Sequence, residues 1–190
     1  MQPRGIRRGI RRGLGIRDPA PRSATLPILP DDDERAGAPI LWIPPLTERL
    51  IRLLHTARDW STIGPRQLEE VVAELLDGFG YEVELTQQTR DGGRDIIAIR
   101  HHEIKSDKYL IECKHREQKI GVSAVRELLG VGQVERASGL ILASTSGFSK
   151  DARILSARED VKWILALKDQ DALQAWVESY ARLRGWIGGP

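Results

Sequence analysis

From Pro65 onward the apolar residues switch repeatedly between helical and extended spacing, and this alternation is what most restricts the fold. Leu68, Val71, Val72, Leu75, Leu76 and Phe79 fall on one face of a helix that Pro65 can open and Gly78 or Gly80 can end. Tyr81 to Leu85 then alternates as a strand. A turn around Asp91-Gly92-Gly93 leads to a second strand, 95–99, and a polar loop leads to a third, 109–114. The spacing predicts a helix over 122–136, with Val122, Val125, Leu128 and Leu129 inward. Leu140 to Ala143 reads as a buried parallel strand. A helix over 148–158, a strand over 161–165 and a helix over 169–180 complete the order αβββαβαβα. Such an order predicts an α/β chain with helices layered on a central mixed sheet.

The region before Pro65 has a different character. Residues 1–39 carry a tandem Gly-Ile-Arg-Arg repeat at Gly5 and Gly9, six prolines, and the acidic run Asp31 to Glu34. This composition predicts a disordered basic tail, with a phosphate-touching arm as the functional alternative. Residues 40–64 read as a lead-in helix over 46–58 followed by a linker, and residues 183–190 as a flexible end. Charge is divided unevenly. Residues 1–60 hold 11 Lys/Arg and 7 Asp/Glu, whereas residues 61–190 hold 18 and 20. If the slightly acidic body meets nucleic acid, it must do so through local patches or a bound cation. The apolar share of 41% excludes full disorder, and no apolar run approaches the ~18 residues of a membrane span. The single cysteine, Cys113, excludes an internal disulfide and a multi-cysteine zinc site. A cytoplasmic protein without a membrane partner is the expectation.

The chemistry-bearing residues cluster in the first half of the α/β region. On the helix at 65–78, Glu70, Glu74 and Asp77 fall opposite the apolar stripe, on a solvated face. Glu69 lies at the stripe's edge, where a carboxylate needs a partner. Asp95 opens the second strand. Glu112 and Lys114 are two apart on the third and point the same way, with Cys113 turned to the apolar face beside Ile111. A charged pair on an apolar strand is costly unless paired or used. Two readings stand at this point. One is a structural ion pair of Lys114 with Glu112 or Asp95. The other is a hard divalent cation held by Asp95, Glu112 and the Cys113 backbone carbonyl, with Lys114 serving an attacking water.

Leu68-Glu69, Asp91-Gly92-Gly93-Arg94-Asp95 and Glu112-Cys113-Lys114, in this order, resemble the PD-(D/E)xK nuclease pattern. Further similarity to the Mrr-like restriction endonuclease domain runs through Val125 to Gly130 and Ala143 to Ser149, with Ala152. The resemblance covers roughly residues 65–180 and sets the nuclease domain at 65–182. It implies a restriction-endonuclease-like three-layer αβα core and Mg²⁺-dependent hydrolysis of DNA phosphodiesters, with Mn²⁺ as a substitute. Carried over by position, Asp95 and Glu112 would bind metal, Lys114 would serve the water, and Glu69 would assist. The alternatives are a junction- or repair-type nuclease, or a non-catalytic nucleic-acid-binding module on the same fold. Residues 40–60 are too short for a DNA-recognition domain, so recognition of methylated DNA is not part of the expectation. Cutting both strands calls for two sites, which a homodimer would supply.

Weaker signals surround this set. His115, Arg116 and Lys119 follow the third strand and are candidates for DNA phosphate contacts, as are Arg94 and Arg126. Gln133 is placed at the edge of its helix's inward face, as a hydrogen-bonding candidate. Trp163 and Trp176 fit core or boundary packing, and Trp186 reads as exposed.

Overall fold

The structure, a computed structural model, describes residues 45–86 and 94–187. The expected basic tail at 1–39, the turn at Asp91-Gly92-Gly93 and residues 188–190 lie outside the described residues.

The helices are α1 (Leu46–Ala57), α2 (Pro65–Gly78), α3 (Val122–Val134), α4 (Lys150–Ser156) and α5 (Gln170–Leu183). The strands are β1 (Glu82–Leu85), β2 (Ile96–His101), β3 (Ser106–Lys114), β4 (Gly139–Ser144) and β5 (Leu165–Lys168). They form one mixed sheet in the order β1-β2-β3-β4-β5. The first three strands pair antiparallel, and β3, β4 and β5 pair parallel through the α3 and α4 crossovers. Among the described helices none is long and apolar enough to cross a membrane.

Two apolar cores lie on opposite faces of the sheet. On one, Ile96, Ala98 and Ile111 pack against Leu68, Val72 and Leu75 of α2, Ile51 and Leu54 of α1, and Leu173 and Val177 of α5. On the other, Leu110, Leu140 and Leu142 pack against Val125 and Leu128 of α3 and Ala152 of α4. The result is the expected three-layer αβα arrangement. Gly132 lets α3 approach β4, because a Cβ there would stand 2.6 Å from the Leu140 side chain. Ser149 and Asp169 cap α4 and α5 by accepting from the N–H groups of Ala152 and Ala172.

Several expectations from spacing need correction. The strand expected at 161–165 is a series of turns closed by bonds from Ile164 and Leu165 N–H to the Val161 carbonyl, and β5 begins only at Leu165. Trp163 consequently stands 80% exposed rather than in the core. Trp186 packs edge-on against Tyr180 at 5.5 Å, with the Arg52 guanidinium over its ring. Glu74 is not merely solvated, since it accepts from the Tyr180 hydroxyl and pairs with Arg184. The lead-in is also engaged: Trp60 is buried and donates from Nε1 to Gln174 at 3.1 Å.

Burial and the Glu74 carboxylate push the Tyr180 phenol up to about 12. Its neutral form therefore stabilises the fold, and that contribution is lost as pH rises from the ordinary tyrosine value through about 12. Tyr180→Phe is expected to lower stability by about 1–2 kcal/mol at neutral pH and to flatten this alkaline loss, as read by denaturant unfolding at a series of pH values.

Candidate active site

Antiparallel pairing of β2 with β3 aligns Ile96 with Ile111 and so brings Asp95, just before β2, level with Glu112. Asp95 is held from several sides. Its N–H donates to the Ile111 carbonyl at 2.9 Å, and its Oδ2 accepts from Cys113 N–H at 2.6 Å. Its carbonyl accepts from Thr86 N–H at 2.9 Å. Thr86 in turn receives Arg66 on its own carbonyl, and Arg66 Nη1 lies 2.7 Å from Glu69 Oε2. Glu69 is thus linked to Asp95 through Arg66 and Thr86.

Glu112 sits on the β3 face shared with Leu110, and it is only 5% exposed. Oε1 faces the Lys114 ammonium, while Oε2 is buried and has no hydrogen-bond partner among the described residues. Burial pushes this carboxyl above its ordinary value, against the pull of Lys114, and the charges of Asp95 and Glu127 push the same way. Cys113 turns to the opposite face, as its position in the strand predicts. Burial raises its thiol far above the usual value, and the carboxylates of Asp95, Glu69 and Glu112 add to the shift. The end of β3 thus lies within the electrostatic reach of Asp95, Glu69 and Glu112. The same shift disfavours the thiolate.

The loop after β3 is fastened to the end of β4. Thr145 N–H and Ser144 Oγ donate to the Lys114 carbonyl, and Ser146 Oγ donates to that of Gln118. His115 Nδ1 lies 3.0 Å from Thr145 Oγ1. His115, Arg116 and Lys119 consequently line clefts beside the site. Ser144 and Thr145, which the resemblance includes but which were not among the candidate site residues, frame this region. So does Glu127, which lines a cleft with Lys114.

Other candidates stand elsewhere. Arg94 donates to Glu135 at 2.8 Å, and Lys108 pairs with the same carboxylate at 2.9 Å. Gln133 is exposed in the last turn of α3, not on the inward face, and Arg126 is exposed on the same helix.

The donor set suits a hard cation. Among the described residues no three His, Cys, Asp or Glu side chains converge as a ready metal cage. Two carboxylates and a backbone carbonyl are instead what Mg²⁺ tolerates, since it keeps several waters and takes substrate phosphate oxygens. The unsatisfied Glu112 Oε2 is the atom such an ion would satisfy.

Helical phase separates Glu69 from Glu70. The Glu69 side chain is 14% exposed and tied towards Asp95, whereas Glu70 is 33% exposed and meets Arg66 only at 3.6 Å. On the nuclease activity that the sequence resemblance implies, Glu69→Gln is expected to weaken DNA cleavage, and Glu70→Gln to leave it near wild type. Equal losses in a plasmid assay would refute this placement.

Comparison with known proteins agrees with the fold. The restriction endonuclease family Mrr_cat matches residues 60–177. The uncharacterized protein y4cE of Sinorhizobium fredii (strain NBRC 101917 / NGR234) is 32% identical over 148 residues, covering 76% of this chain and 38% of y4cE. The DNA modification-dependent restriction endonuclease AspBHI shares the fold with a TM-score of 0.50 at 19% identity, over 77% of this chain and 40% of AspBHI. The MspJI restriction endonuclease in complex with a 27-mer oligonucleotide aligns with a TM-score of 0.46 at 15% identity, over 72% of this chain and 35% of MspJI. The chain spans less than half the length of each of these relatives. The family match runs from Trp60 to Val177 and takes in the whole sheet, Glu69, Asp95, Glu112 and Lys114; this chain is a restriction endonuclease-like nuclease domain and belongs to the Mrr_cat family.

Proposed function

We propose that the protein is a divalent-metal-dependent DNA endonuclease of the Mrr type, hydrolysing phosphodiester bonds at the end of β3. The observation that carries this reading is the buried Glu112 carboxylate, with Oε2 lacking a described partner, level with Asp95 on the neighbouring strand. Asp95, Glu112 and the Cys113 carbonyl would hold Mg²⁺, with Mn²⁺ as a substitute. The bound ion supplies electrostatic stabilisation of charge on the phosphate.

The chain's own residues do the rest. Cys113 N–H fixes the Asp95 carboxylate through Oδ2. Glu69, through Arg66 and Thr86, holds the segment that carries Asp95. Lys114, on the Glu112 face and 26% exposed, presents its ammonium where it can orient a water against the scissile phosphate.

Supercoiled plasmid, methylated and unmethylated, incubated with Mg²⁺ or with excess chelator tests this function. Nicked or linear product is expected only with the metal. Cleavage undiminished in chelator refutes the proposal.

A further inference from the structure

Three clefts adjoin one another along the side of the molecule that carries Lys114, and Lys119 lines all three. The first, about 190 Å³, is lined by Lys114, Arg116 and Glu127. The second, about 670 Å³, runs past His115, Arg116, Ser146 and Gly147. The third, about 470 Å³, passes Phe148 to reach Lys150 and Arg153 on α4.

The charge lining these clefts does not match the rest of the body. Residues 61–190 hold 18 Lys/Arg against 20 Asp/Glu. The clefts gather Lys114, Arg116, Lys119, Lys150 and Arg153 against Glu117 and Glu127 alone. Arg153 is matched by Asp169 at 3.1 Å. Arg116, Lys119 and Lys150 are exposed and form no ion pair with any described residue. Elsewhere on the body some cations are paired, as Arg94 and Lys108 are with Glu135 and Arg158 is with Asp160, while others such as Arg49, Arg126 and Arg136 form no ion pair among the described residues but line none of these clefts. Unpaired cations at Arg116, Lys119 and Lys150, in adjoining clefts that share Lys119 and of which one is lined by Lys114, are complementary to a polyanion that enters the site.

We propose that Arg116, Lys119 and Lys150 form a track for the sugar-phosphate backbone of one DNA strand, leading from Lys114 past the β4–α4 loop to α4. The identity of the strand rests on the nuclease reading above. The loop's backbone is rigidly placed for this task. Ile120 N–H donates to the Gly147 carbonyl and Ser149 N–H to the Ile120 carbonyl, which ties the segment bearing Lys119 to the one preceding Lys150. The track carries phosphate contacts and no base reading, so it sets affinity and strand path without sequence preference.

The test is the salt dependence of binding of the full chain to a fluorescein-labelled DNA duplex in chelator, read by anisotropy. Each lost phosphate contact lowers the slope of log affinity against log salt by about 0.9. The double variant Lys119→Glu, Lys150→Glu is expected to lose about two units of slope. It should also raise KM for cleavage in Mg²⁺ while kcat stays near wild type. Arg49→Glu, an equal charge reversal in the first turn of α1 and outside the three clefts, should change neither. Lys119→Gln with Lys150→Gln repeats the measurement without introducing negative charge, should the reversal disturb folding. An unchanged slope in both double variants overturns the track, as does an equal loss from Arg49→Glu. A wild-type protein that binds with the expected slope but never cuts in metal overturns the nuclease reading and leaves the track standing.

Discussion

Lys114→Ala is expected to abolish cleavage while DNA binding persists. Lys114 shares a β3 face with Glu112 and reaches solvent at the mouth of a cleft. No other described ammonium or guanidinium pairs with Glu112, so the water's orientation has no evident second provider. A positioned proton-handling group contributes on the order of 10² or more to rate. One cation among several phosphate contacts is a small share of affinity, so anisotropy should record a duplex affinity close to wild type. Cleavage at near wild-type rate with bound metal would make Lys114 an ordinary ion-pair partner.

Glu112→Gln should separate stability from function. Burial holds the folded carboxyl above its ordinary value, so the folded protein binds that proton more tightly than the unfolded chain. The stabilisation is fully present below the ordinary glutamate value and is lost as pH rises through the folded one. Gln keeps the shape without the ionisation, and Lys114, 26% exposed, can turn to water when its partner's charge is gone. In chelator the variant should therefore melt at or above wild type at neutral pH, with the gap closing in acid. Mg²⁺ should reverse the order, because an ion that binds only the folded wild type stabilises it by about 2.7 kcal/mol at a hundredfold excess over Kd. Cleavage by the variant should be lost. A variant that melts well below wild type in chelator at neutral pH would show that the Glu112–Lys114 pair is structural.

The elements with strong periodicity were legible before any coordinates. The stripe Leu68 to Leu76 is buried throughout, and the two-residue period of β3 correctly divides Glu112 and Lys114 from Cys113. The misplaced fifth strand shows where such patterns fail. Val161, Trp163 and Ile164 have β-forming side chains, but their backbone closes turns after α4, and only tertiary pairing with β4 selects Leu165–Lys168. In α1, Leu53 is 43% exposed, because α2 and α5 cover only the side bearing Ile51 and Leu54. Contacts between distant segments were not legible at all. Nothing near Arg94 announces Glu135, and nothing near Glu74 announces Tyr180; both pairings exist because the fold sets one element against another. The catalytic candidates were visible because strand alternation places them. Their supports, Arg66 with Thr86 and Ser144 with Thr145, were not, because they reach Asp95 and Lys114 only through contacts between distant segments.

Whether Glu112 is a metal ligand or the buried half of an ion pair is decided most directly by titrating Mn²⁺ into the purified protein and into Glu112→Gln, with heat of binding as the readout. The wild type should show a saturable site and the variant none, with both chains folded by circular dichroism. Equal binding by the two, or no binding by the wild type, would contradict the assignment of Glu112.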